Sequence, residues 1–496
     1  LSKVLGSEVP IVNAFTEGKS AIVLGDNEWS QSAGLDPSKL PRDGFCAKAK
    51  DGRVYIAGVD DPKADFAERI KAGRIGGKPG NIRDGERGTL FGVYEFLERY
   101  CGCRFYFPGE LGEVVPLKRR VTVPCGKFSL SPAFTVRDVY LSGDGKWPGE
   151  KSIGERHSVK CLIWLRLRMQ TESIPCCHGM NDFQLSDRFG QTHPEWFYLA
   201  KNPNTGKFAR TSGVGSATYG VKGHLCFTND EMWNQVYTDT CAYFSGKDPA
   251  KLGIKRIWCS DDAGWGPNLS GRFVDVMAQD GMQECHCDKC QQAYDKSLGV
   301  NGYATELIWG KTAALAKRLA DAGYPAIVTQ MAYSPYRAIP KCDIPSNVWV
   351  MVAQEGPWCV GNPADFAQQK ATVKAWSEKL GHKVWMWTYP AKHPEFELGI
   401  KGVPDYAPRA WHRYYKDMSE WSMGTFAESE CENSILHYMN YYVYSKLAWD
   451  PGLDIDALLK EHYELMYGAG AKPMQEAFEL FEKKWIHEIA GNTVDT

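Results

Sequence analysis

Short apolar runs alternate with longer segments of helical periodicity from about Ser131 onward. Several runs are almost continuously apolar, as expected of parallel strands that are buried on both faces. Helical stretches lie between them, for example Tyr303–Ala322 and Ala364–Leu380. This alternation predicts an α/β fold of the (β/α)8 TIM-barrel type, because no Gly-x-Gly-x-x-Gly turn supports the alternative, a doubly wound open sheet. The candidate strands are Phe134–Tyr140, Cys161–Met169, Gly223–Phe227, Lys255–Ser260, Ala326–Tyr333, Asn347–Ala353, Lys383–Tyr389 and Gly424–Ala427.

The two ends of the chain have different patterns. Residues 1–128 combine short β-like runs with glycine-rich connections, and Gly88–Arg99 has apolar residues at helical spacing. The last segment is helical in pattern, since Asp454 can cap one helix and Pro473 suits the first turn of another. We therefore predict an N-terminal α/β domain at 1–128, the barrel at 129–430 and a C-terminal helical region at 431–496.

Composition narrows the classes of function. Hydrophobic residues make up 43% and charged residues 24% of the 496 residues, the balance of an ordinary folded protein. A chain with a net charge of −2 lacks the excess positive charge that binds a nucleic-acid backbone, so we expect no nucleic-acid partner. The longest apolar runs, such as Val348–Ala353, are far shorter than the ~20 residues that span a bilayer, so we expect no transmembrane segment.

Aromatic residues are plentiful, with 17 Trp, 24 Tyr and 21 Phe. Most of them belong in a large core on the simplest interpretation, but several can line a cleft and stack on the apolar faces of sugar rings. Composition does not separate the two interpretations. The strand ends do more, because catalytic groups of a barrel lie where the strands end and the βα loops begin.

The fourth candidate strand ends in two adjacent acids, Asp261 and Asp262, followed by Trp265. Adjacent carboxylates in a partly apolar pocket resist ionising together, which raises one pKa and provides a general acid at neutral pH. Trp265 suits a sugar subsite beside them. The alternative is a turn that uses aspartates for its backbone geometry. Both aspartates are candidate catalytic residues.

Two further carboxylates follow later strands. Glu355 comes after the sixth candidate strand and Glu428 after the eighth. Most glycosidases use two carboxyl groups that flank the scissile bond, one as acid and one as base or nucleophile. Glu355 and Glu428 are therefore catalytic candidates as well. Each of them has an alternative role as the partner of an arginine at the barrel mouth.

Polar and aromatic residues at the strand ends are candidates for binding a sugar. A histidine there can bond sugar hydroxyls, although a structural histidine is an equal alternative. The seventh strand can form an aromatic wall, with packing between barrel and helices as its alternative. The substrate-binding candidates are His178, Asn181, Trp265, Tyr333, Trp358, Trp387 and Tyr389.

Cysteines are concentrated in the segment Cys285, Cys287 and Cys290. Three thiols at this spacing can bind zinc if a fourth ligand, such as Cys259 or a histidine, folds nearby. Disulfide pairing and buried thiols are the alternatives. Zinc held in this way would support the structure, and we expect no cofactor to be required for catalysis. The sequence contains no phosphate-binding loop, no His-Glu-x-x-His and no Gly-x-Ser-x-Gly.

Several motifs resemble known protein families. GTLFGVYEFLE at 88–98 and GCRFYFPG at 102–109 resemble the N-terminal α/β domain of bacterial α-glucuronidases and hexosaminidases. HPEWF at 193–197, CFTN at 226–229, the Cys-x-Cys-x-x-Cys element and LAWDP at 447–451 are similar to the bacterial family called domain of unknown function 4838. Part of that family is classed as glycoside hydrolase family 163. The resemblance covers about residues 85–470.

The resemblance implies endo-β-N-acetylglucosaminidase action on complex N-glycans. The Asp261-Asp262 pair resembles that of hexosaminidases with substrate-assisted, retaining catalysis. In those enzymes the first acid holds the 2-acetamido N–H while the acetamido oxygen attacks C1, and the second acid protonates the leaving group. The implied partner is an oligosaccharide or glycoprotein glycan. The implied location is secreted, periplasmic or on the outer surface of a bacterium.

Two alternatives to this function stay open. An α-glucuronidase-like hydrolase would need cationic groups for the uronate, for example Arg166, Arg168 or Arg337. A non-catalytic glycan-binding barrel would keep the cleft and its aromatic residues without the chemistry. Substitution of Asp262 separates a hydrolase from a binding protein, because a binding protein would lose only affinity.

Overall fold

A computed structural model describes residues 1–16, 18–72, 85–141, 161–169, 174–201, 206–210, 224–255, 264–391, 406–429, 435 and 437–489. The chain folds into two compact units. The first unit contains Leu1–Ser173, Gln354–Lys370 and Trp387–Thr496, and the second contains Ile174–Ala353 and Ala371–Met386. The boundaries predicted for three domains stay a prediction.

The N-terminal part of the first unit contains a four-stranded sheet. Strand order in this sheet is β1-β3-β2-β6, with β1 parallel to β3 and the other pairs antiparallel. The helix predicted from Gly88 begins at that residue and packs closely on β3, since a Cβ on Gly58 would lie 2.4 Å from Gly88 Cα. The strands of this region are β1 (Ala21–Leu24), β2 (Phe45–Lys50), β3 (Arg53–Gly58), β4 (Arg104–Phe105), β5 (Glu113–Val114) and β6 (Gly126–Leu130).

A larger sheet has seven strands in the order β10-β11-β12-β13-β14-β15-β7. β11, β12 and β13 are parallel to one another, and β15 is parallel to β7. β8 and β9 form a separate antiparallel pair. These strands are β7 (Val136–Leu141), β8 (Leu199–Lys201), β9 (Phe208–Arg210), β10 (Leu269–Ser270), β11 (Phe273–Asp275), β12 (Ile327–Ala332), β13 (Val348–Gln354), β14 (Val384–Ala391) and β15 (Ser422–Ser429).

Five of the eight predicted strands are present as β7, β12, β13, β14 and β15. The prediction for Cys161–Met169 is wrong, because residues 161–166 are helical. That segment is buried nearly throughout, and periodicity does not separate a short buried helix from a buried strand. Gly223–Phe227 contributes only one isolated bridge, between Phe197 and Leu225. The segment after Lys255 lies outside the described residues.

The fold is thus mixed α/β, and its larger sheet has the parallel pairs that the apolar runs predict. Within the described ranges this sheet contains seven strands, so a closed (β/α)8 barrel stays a prediction. β11 takes the position beside β12 and was not predicted. With three residues, it is too short for an apolar run to reveal it.

Helices flank the strands and form the end of the chain. Asp454 caps the helix that begins at Ile455, as predicted, by accepting from the N–H groups of Asp456 and Ala457. The helices are α1 (Ser2–Leu5), α2 (Glu28–Ser32), α3 (Phe66–Ala72), α4 (Gly88–Phe96), α5 (Leu185–Phe189), α6 (Asp230–Phe244), α7 (Asp288–Ala293), α8 (Thr305–Asp321), α9 (Pro363–Leu380), α10 (Pro408–Met418), α11 (Tyr438–Leu447), α12 (Ile455–Tyr467) and α13 (Ala471–Lys484). Within the described ranges, no helix is both long and apolar enough to cross a membrane.

Candidate functional site

Two predicted carboxylates lie on strands at either side of β14 in the first unit. Glu355 follows the last residue of β13, and Glu428 is the penultimate residue of β15. Glu355 is exposed, whereas Glu428 is only 8% exposed. The indole Nε1 of Trp387, on β14, donates a hydrogen bond of 2.8 Å to Glu428 Oε2. We call Glu355, Trp387, Tyr389 and Glu428 the strand-end carboxylate group.

Glu355 is held by neighbours in the same unit. The amide of Gln369, on α9, donates to Glu355 Oε2 at 3.3 Å, and the hydroxyl of Tyr414 donates to the Gln369 carbonyl oxygen at 2.8 Å. The backbone N–H of Tyr389 donates to the Glu355 carbonyl at 3.1 Å. These bonds fix the start of the loop after β13, so the carboxylate of Glu355 has a defined direction.

The aromatic candidates of the first unit have different surroundings. Trp387 packs against Phe426 at 4.4 Å between ring centroids and lies 6.3 Å from Tyr389, so its role in an aromatic wall stays a prediction. Trp358 instead packs against Trp485 at 5.7 Å, within the core that the end of the chain forms. The contacts of Trp358 favour packing over sugar binding.

In the second unit, three polar residues meet where β11 and β12 end. His178 Nδ1 accepts the backbone N–H of Asp280 at 3.0 Å, and the hydroxyl of Tyr333 donates to Asp280 Oδ1 at 3.1 Å. Burial lowers the pKa of His178, so its imidazole is neutral with the proton on Nε2. Two predicted binding residues, His178 and Tyr333, are thus joined through an aspartate that the sequence reasoning missed.

Asp275 organises the loop beside this histidine. It ends β11, is fully buried, and accepts the N–H of Cys177 at 2.6 Å and the N–H of Met277 at 2.8 Å. Gly179 lies against it so closely that a Cβ there would be 2.4 Å from the carboxyl carbon. Burial raises the pKa of Asp275 to about 7, although the backbone donors oppose that shift.

Asp182 is a second buried acid in the same unit, and it is 1% exposed. The backbone N–H of Asn268 donates to its Oδ2 at 2.9 Å, while Oδ1 has no hydrogen-bond partner among the described residues. Burial raises the pKa of Asp182 to about 7. Its charge in turn raises the pKa of Asp275, so the two acids disfavour each other's ionisation.

Side-chain amides near these acids also lack partners. Gln279 is 7% exposed, and neither polar atom of its amide has a hydrogen-bond partner within the described ranges. The amide nitrogens of Asn181 and Asn268 are likewise buried without one. We call His178, Asp182, Asp275, Gln279 and Asp280 the buried polar cluster. Unpaired buried polar groups are costly in a protein interior, and they are suited to a polar ligand.

Sequence reasoning missed most of this cluster. Asp275 ends a three-residue strand and Asp280 follows it; because the sequence does not predict this strand, it marks neither aspartate as a strand-end residue. Asp182 was visible in the segment that contains His178 and Asn181, but only its burial distinguishes it from a loop aspartate. A polar residue directly after Phe273-Val274 was the available signal.

Asp261 and Asp262 lie outside the described residues, so their catalytic roles stay predictions. Trp265 is described, and its Nε1 donates to the carbonyl of Lys247 at 3.2 Å. Its ring packs edge-on against Tyr243 at 5.6 Å. These contacts with α6 and the loop after it favour a packing role for Trp265.

The predicted metal-binding cysteines come together with one more thiol. The sulfur atoms of Cys226, Cys285, Cys287 and Cys290 all lie within 4.8 Å of one another. The predicted fourth ligand was Cys259 or a histidine, whereas the structure brings Cys226 to the group. Cys259 lies outside the described residues.

The geometry defines a mixed α/β protein with acidic and aromatic side chains at its strand ends. Residues 266–479 match the family described as Domain of unknown function (DUF4838), which confirms the domain family that the motifs suggested. Membership of glycoside hydrolase family 163 and the resemblance of the N-terminal domain stay predictions. No curated protein sequence matches this chain.

The chain is similar to several solved glycosidase structures. It aligns with a family 89 glycoside hydrolase from Clostridium perfringens in complex with PUGNAc at a TM-score of 0.45 and 11% identity, over 89% of this chain and 48% of that chain. A β-N-acetylhexosaminidase from Bacteroides fragilis gives 0.39 and 11%, over 94% and 92%. A chitobiase from Flavobacterium johnsoniae gives 0.38 and 12%, over 90% and 61%. The chain spans about half the length of the family 89 chain. Scores at this level carry no conclusion about activity.

Proposed function

We propose that the protein is a glycoside hydrolase that cleaves a glycosidic bond at an N-acetylhexosamine in a complex glycan. The observation that carries the proposal is the strand-end carboxylate group, in which β14 with its aromatic side chains lies between two strands that end in Glu355 and Glu428. Strands two positions apart are about 10 Å apart. That backbone spacing is close to the upper end of the roughly 5–9.5 Å that separates the two carboxyl groups flanking a sugar in glycosidases.

Trp387 connects recognition to chemistry in this proposal. Its ring offers a flat apolar face for a sugar, and its N–H hydrogen-bonds the nearly buried carboxylate of Glu428. An N–H donor stabilises the ionised form of a carboxylate, so Glu428 is suited to act as a base or nucleophile. The exposed Glu355 is then the group that exchanges protons with the leaving group.

The mechanism that the motifs imply uses the substrate's own acetamido group. In this endo-β-N-acetylglucosaminidase-like, retaining scheme the acetamido oxygen attacks C1 while Asp261 holds the acetamido N–H. Asp262 gives its proton to the leaving oxygen and later takes one from water, so the proton count balances over the cycle. The two schemes differ in which carboxylates are essential, and substitutions therefore distinguish them.

Ion pairs in the first unit argue against the α-glucuronidase alternative. Arg166 Nη1 lies 2.6 Å from a carboxylate oxygen of Glu113. Arg168 is 4% exposed and pairs with Glu95 and Glu98. These two guanidinium groups already neutralise the protein's own acids, which leaves them unsuited to a uronate.

The experiment is digestion of a library of complex glycans by the purified chain, with product masses measured by mass spectrometry. Release of fragments cut beside an N-acetylhexosamine is the expected result. Equal turnover of substrates that lack the 2-acetamido group would contradict the substrate-assisted step. Binding of glycans without any cleavage would show a glycan-binding protein and overturn the proposed hydrolase.

Four variants identify the chemistry: Asp261→Asn, Asp262→Asn, Glu355→Gln and Glu428→Gln. A general acid or base contributes about 10²–10⁴-fold, so kcat should fall by that factor at the essential positions while the fold survives. An aryl leaving group that needs no protonation should restore much of the activity when the lost group is the acid. Glu464→Gln, on the exposed face of α12, is the matched control and should leave kcat unchanged. Full activity in all four variants would remove both groups from the mechanism.

A further inference from the structure

Four cysteine sulfurs of the second unit have the arrangement of a metal site. Sγ of Cys226 lies 3.7 Å from Sγ of Cys287 and 3.7 Å from Sγ of Cys290, and the sulfurs of Cys285 and Cys287 are 3.5 Å apart. A zinc ion bound to four thiolates has Zn–S distances of about 2.3 Å, which places the sulfurs at the corners of a tetrahedron with edges of about 3.8 Å. The observed separations match that edge length and are much longer than a sulfur–sulfur bond.

The surroundings of the sulfurs also suit thiolates. The backbone N–H of Leu199 donates to Sγ of Cys285 at 3.3 Å, and the hydroxyl of Thr228 lies 3.1 Å from Sγ of Cys290. The guanidinium of Arg210, which donates to the carbonyl of Phe197 at 2.7 Å, interacts with Cys226. Donors and a positive charge around the sulfurs are what a zinc–thiolate centre with a net negative charge requires.

We propose that Cys226, Cys285, Cys287 and Cys290 bind one zinc ion with a structural role. Three of the sulfurs belong to buried residues, and with four protein ligands the ion has no open position for water or substrate. The site connects β8, the start of α6 and the segment that leads from Asp280 to α7. One end of that segment is held by β11, and the zinc ion would hold the other end.

The zinc ion would hold in place the segment between Asp275 and Cys285. Residues between Asp275 and Cys285 include Gln279 and Asp280 of the buried polar cluster, and the latter bonds both His178 and Tyr333. Without the ion, the segment would keep the hydrogen bonds of Asp280 and the bond from the backbone N–H of His286 to the carbonyl of Leu199 at 3.0 Å, but it would lose the link that joins its end to Cys226. Loss of zinc should therefore loosen the segment while β11 and β12 stay formed.

The first test measures the metal content of the 496-residue chain, purified without chelators. Inductively coupled plasma mass spectrometry should give about one zinc ion per chain. A mercurial reagent that binds thiolates should release that zinc as it reacts with four thiols. A cobalt-substituted protein should show thiolate-to-cobalt charge-transfer bands and the intense visible bands of a tetrahedral site. These measurements use the wild-type chain, so they do not depend on a variant that folds.

The second test uses Cys226→Ser, with Cys342→Ser as the matched control. Cys342 is a half-buried thiol of the same unit outside the group. The control should keep its zinc, whereas Cys226→Ser should lose most of it and melt at a lower temperature. Metal-free wild-type protein, an iron-containing coloured protein, or a mass lower by two hydrogen atoms for each disulfide would each overturn the zinc assignment.

Discussion

The effect of Asp182→Asn on the free energy of unfolding is expected to change sign with pH, from destabilising at low pH to stabilising at high pH. In the wild-type protein the carboxyl of Asp182 is 1% exposed, and burial raises its pKa from 3.8 to about 7. The folded state therefore binds this proton more tightly than the unfolded chain does. Stability falls as pH rises from about 4 to about 7, and the loss is complete above the folded pKa. Asparagine has no proton to lose, so the variant lacks this pH dependence.

The magnitude follows from the two pKa values. The interval between 3.8 and about 7, at about 1.4 kcal/mol for each pKa unit, gives a loss of about 4 kcal/mol at pH 8. The asparagine retains the acceptor for the N–H of Asn268 but puts an NH₂ group where Oδ1 lacks a described partner. An unsatisfied buried donor costs about 1–3 kcal/mol. At pH 4.5 the wild type has already lost about 1 kcal/mol, so the variant should be less stable there by up to about 2 kcal/mol; at pH 8 it should be more stable by about 1–3 kcal/mol.

The assay is chemical unfolding of both proteins at pH 4.5, 6 and 8, with thermal melting as a second reading. Asp230→Asn is the control, because a hydrogen bond from Lys311 lowers the pKa of this exposed aspartate. Its removal should cost at most about 1 kcal/mol, only above its ordinary pKa, and without a change of sign. Parallel stability curves for wild type and Asp182→Asn would refute the raised pKa and the reasoning from burial.

Three further changes test other parts of the structure. Arg168→Met removes the buried partner of Glu95 and Glu98 and should lower the free energy of unfolding by about 3–5 kcal/mol in a guanidinium titration; a loss below about 1 kcal/mol would contradict the pairing. Gly424→Ala should lower the melting temperature by several degrees, because its Cβ would lie 1.8 Å from the carbonyl oxygen of Val136, whereas Gly323→Ala, also at positive φ but with open space, should cost much less. Trp387→Phe keeps the ring but loses the hydrogen bond to Glu428, worth about 1.5–3 kcal/mol, so kcat/KM should fall about 10–100-fold; unchanged kinetics would separate Glu428 from the chemistry.

The sequence predicted those strands whose burial is encoded in a continuous apolar run. Val348–Gln354 is an example, since its residues are buried on both faces. The same rule is wrong at 161–166, because a short helix that is buried nearly throughout has no wide polar face that would reveal its period. It also missed Phe273–Asp275, where pairing with β12 defines a strand that is too short to predict locally.

Whether the sequence predicts a site residue depends on how far apart the contacting residues lie in the chain. The positions of Glu355 and Glu428 were predictable, because Glu355 directly follows β13 and Glu428 lies one residue before the end of β15. Their catalytic roles stay predictions. The fourth thiol of the cysteine group, Cys226, was not predictable as a ligand, although it begins the CFTN motif at 226–229. Cys226 lies 61 residues before Cys287 in the chain, and no local spacing reports a contact over that distance. Chain-distant partners therefore account for most of what the sequence left open.

Buried aspartates in this protein have two kinds of surroundings, and the contrast favours a functional role for Asp182. Asp43 is 1% exposed, and Arg137 lies 2.6 Å from its Oδ2, so cationic partners hold its pKa below the usual value despite burial. Asp182 is equally buried, yet its carboxyl has one backbone donor and a raised pKa. An arginine beside it would stabilise the fold, as Arg137 does for Asp43. A carboxyl with a raised pKa, one of whose oxygens has no hydrogen-bond partner among the described residues, is poorly explained by stability and well suited to exchanging a proton with a ligand.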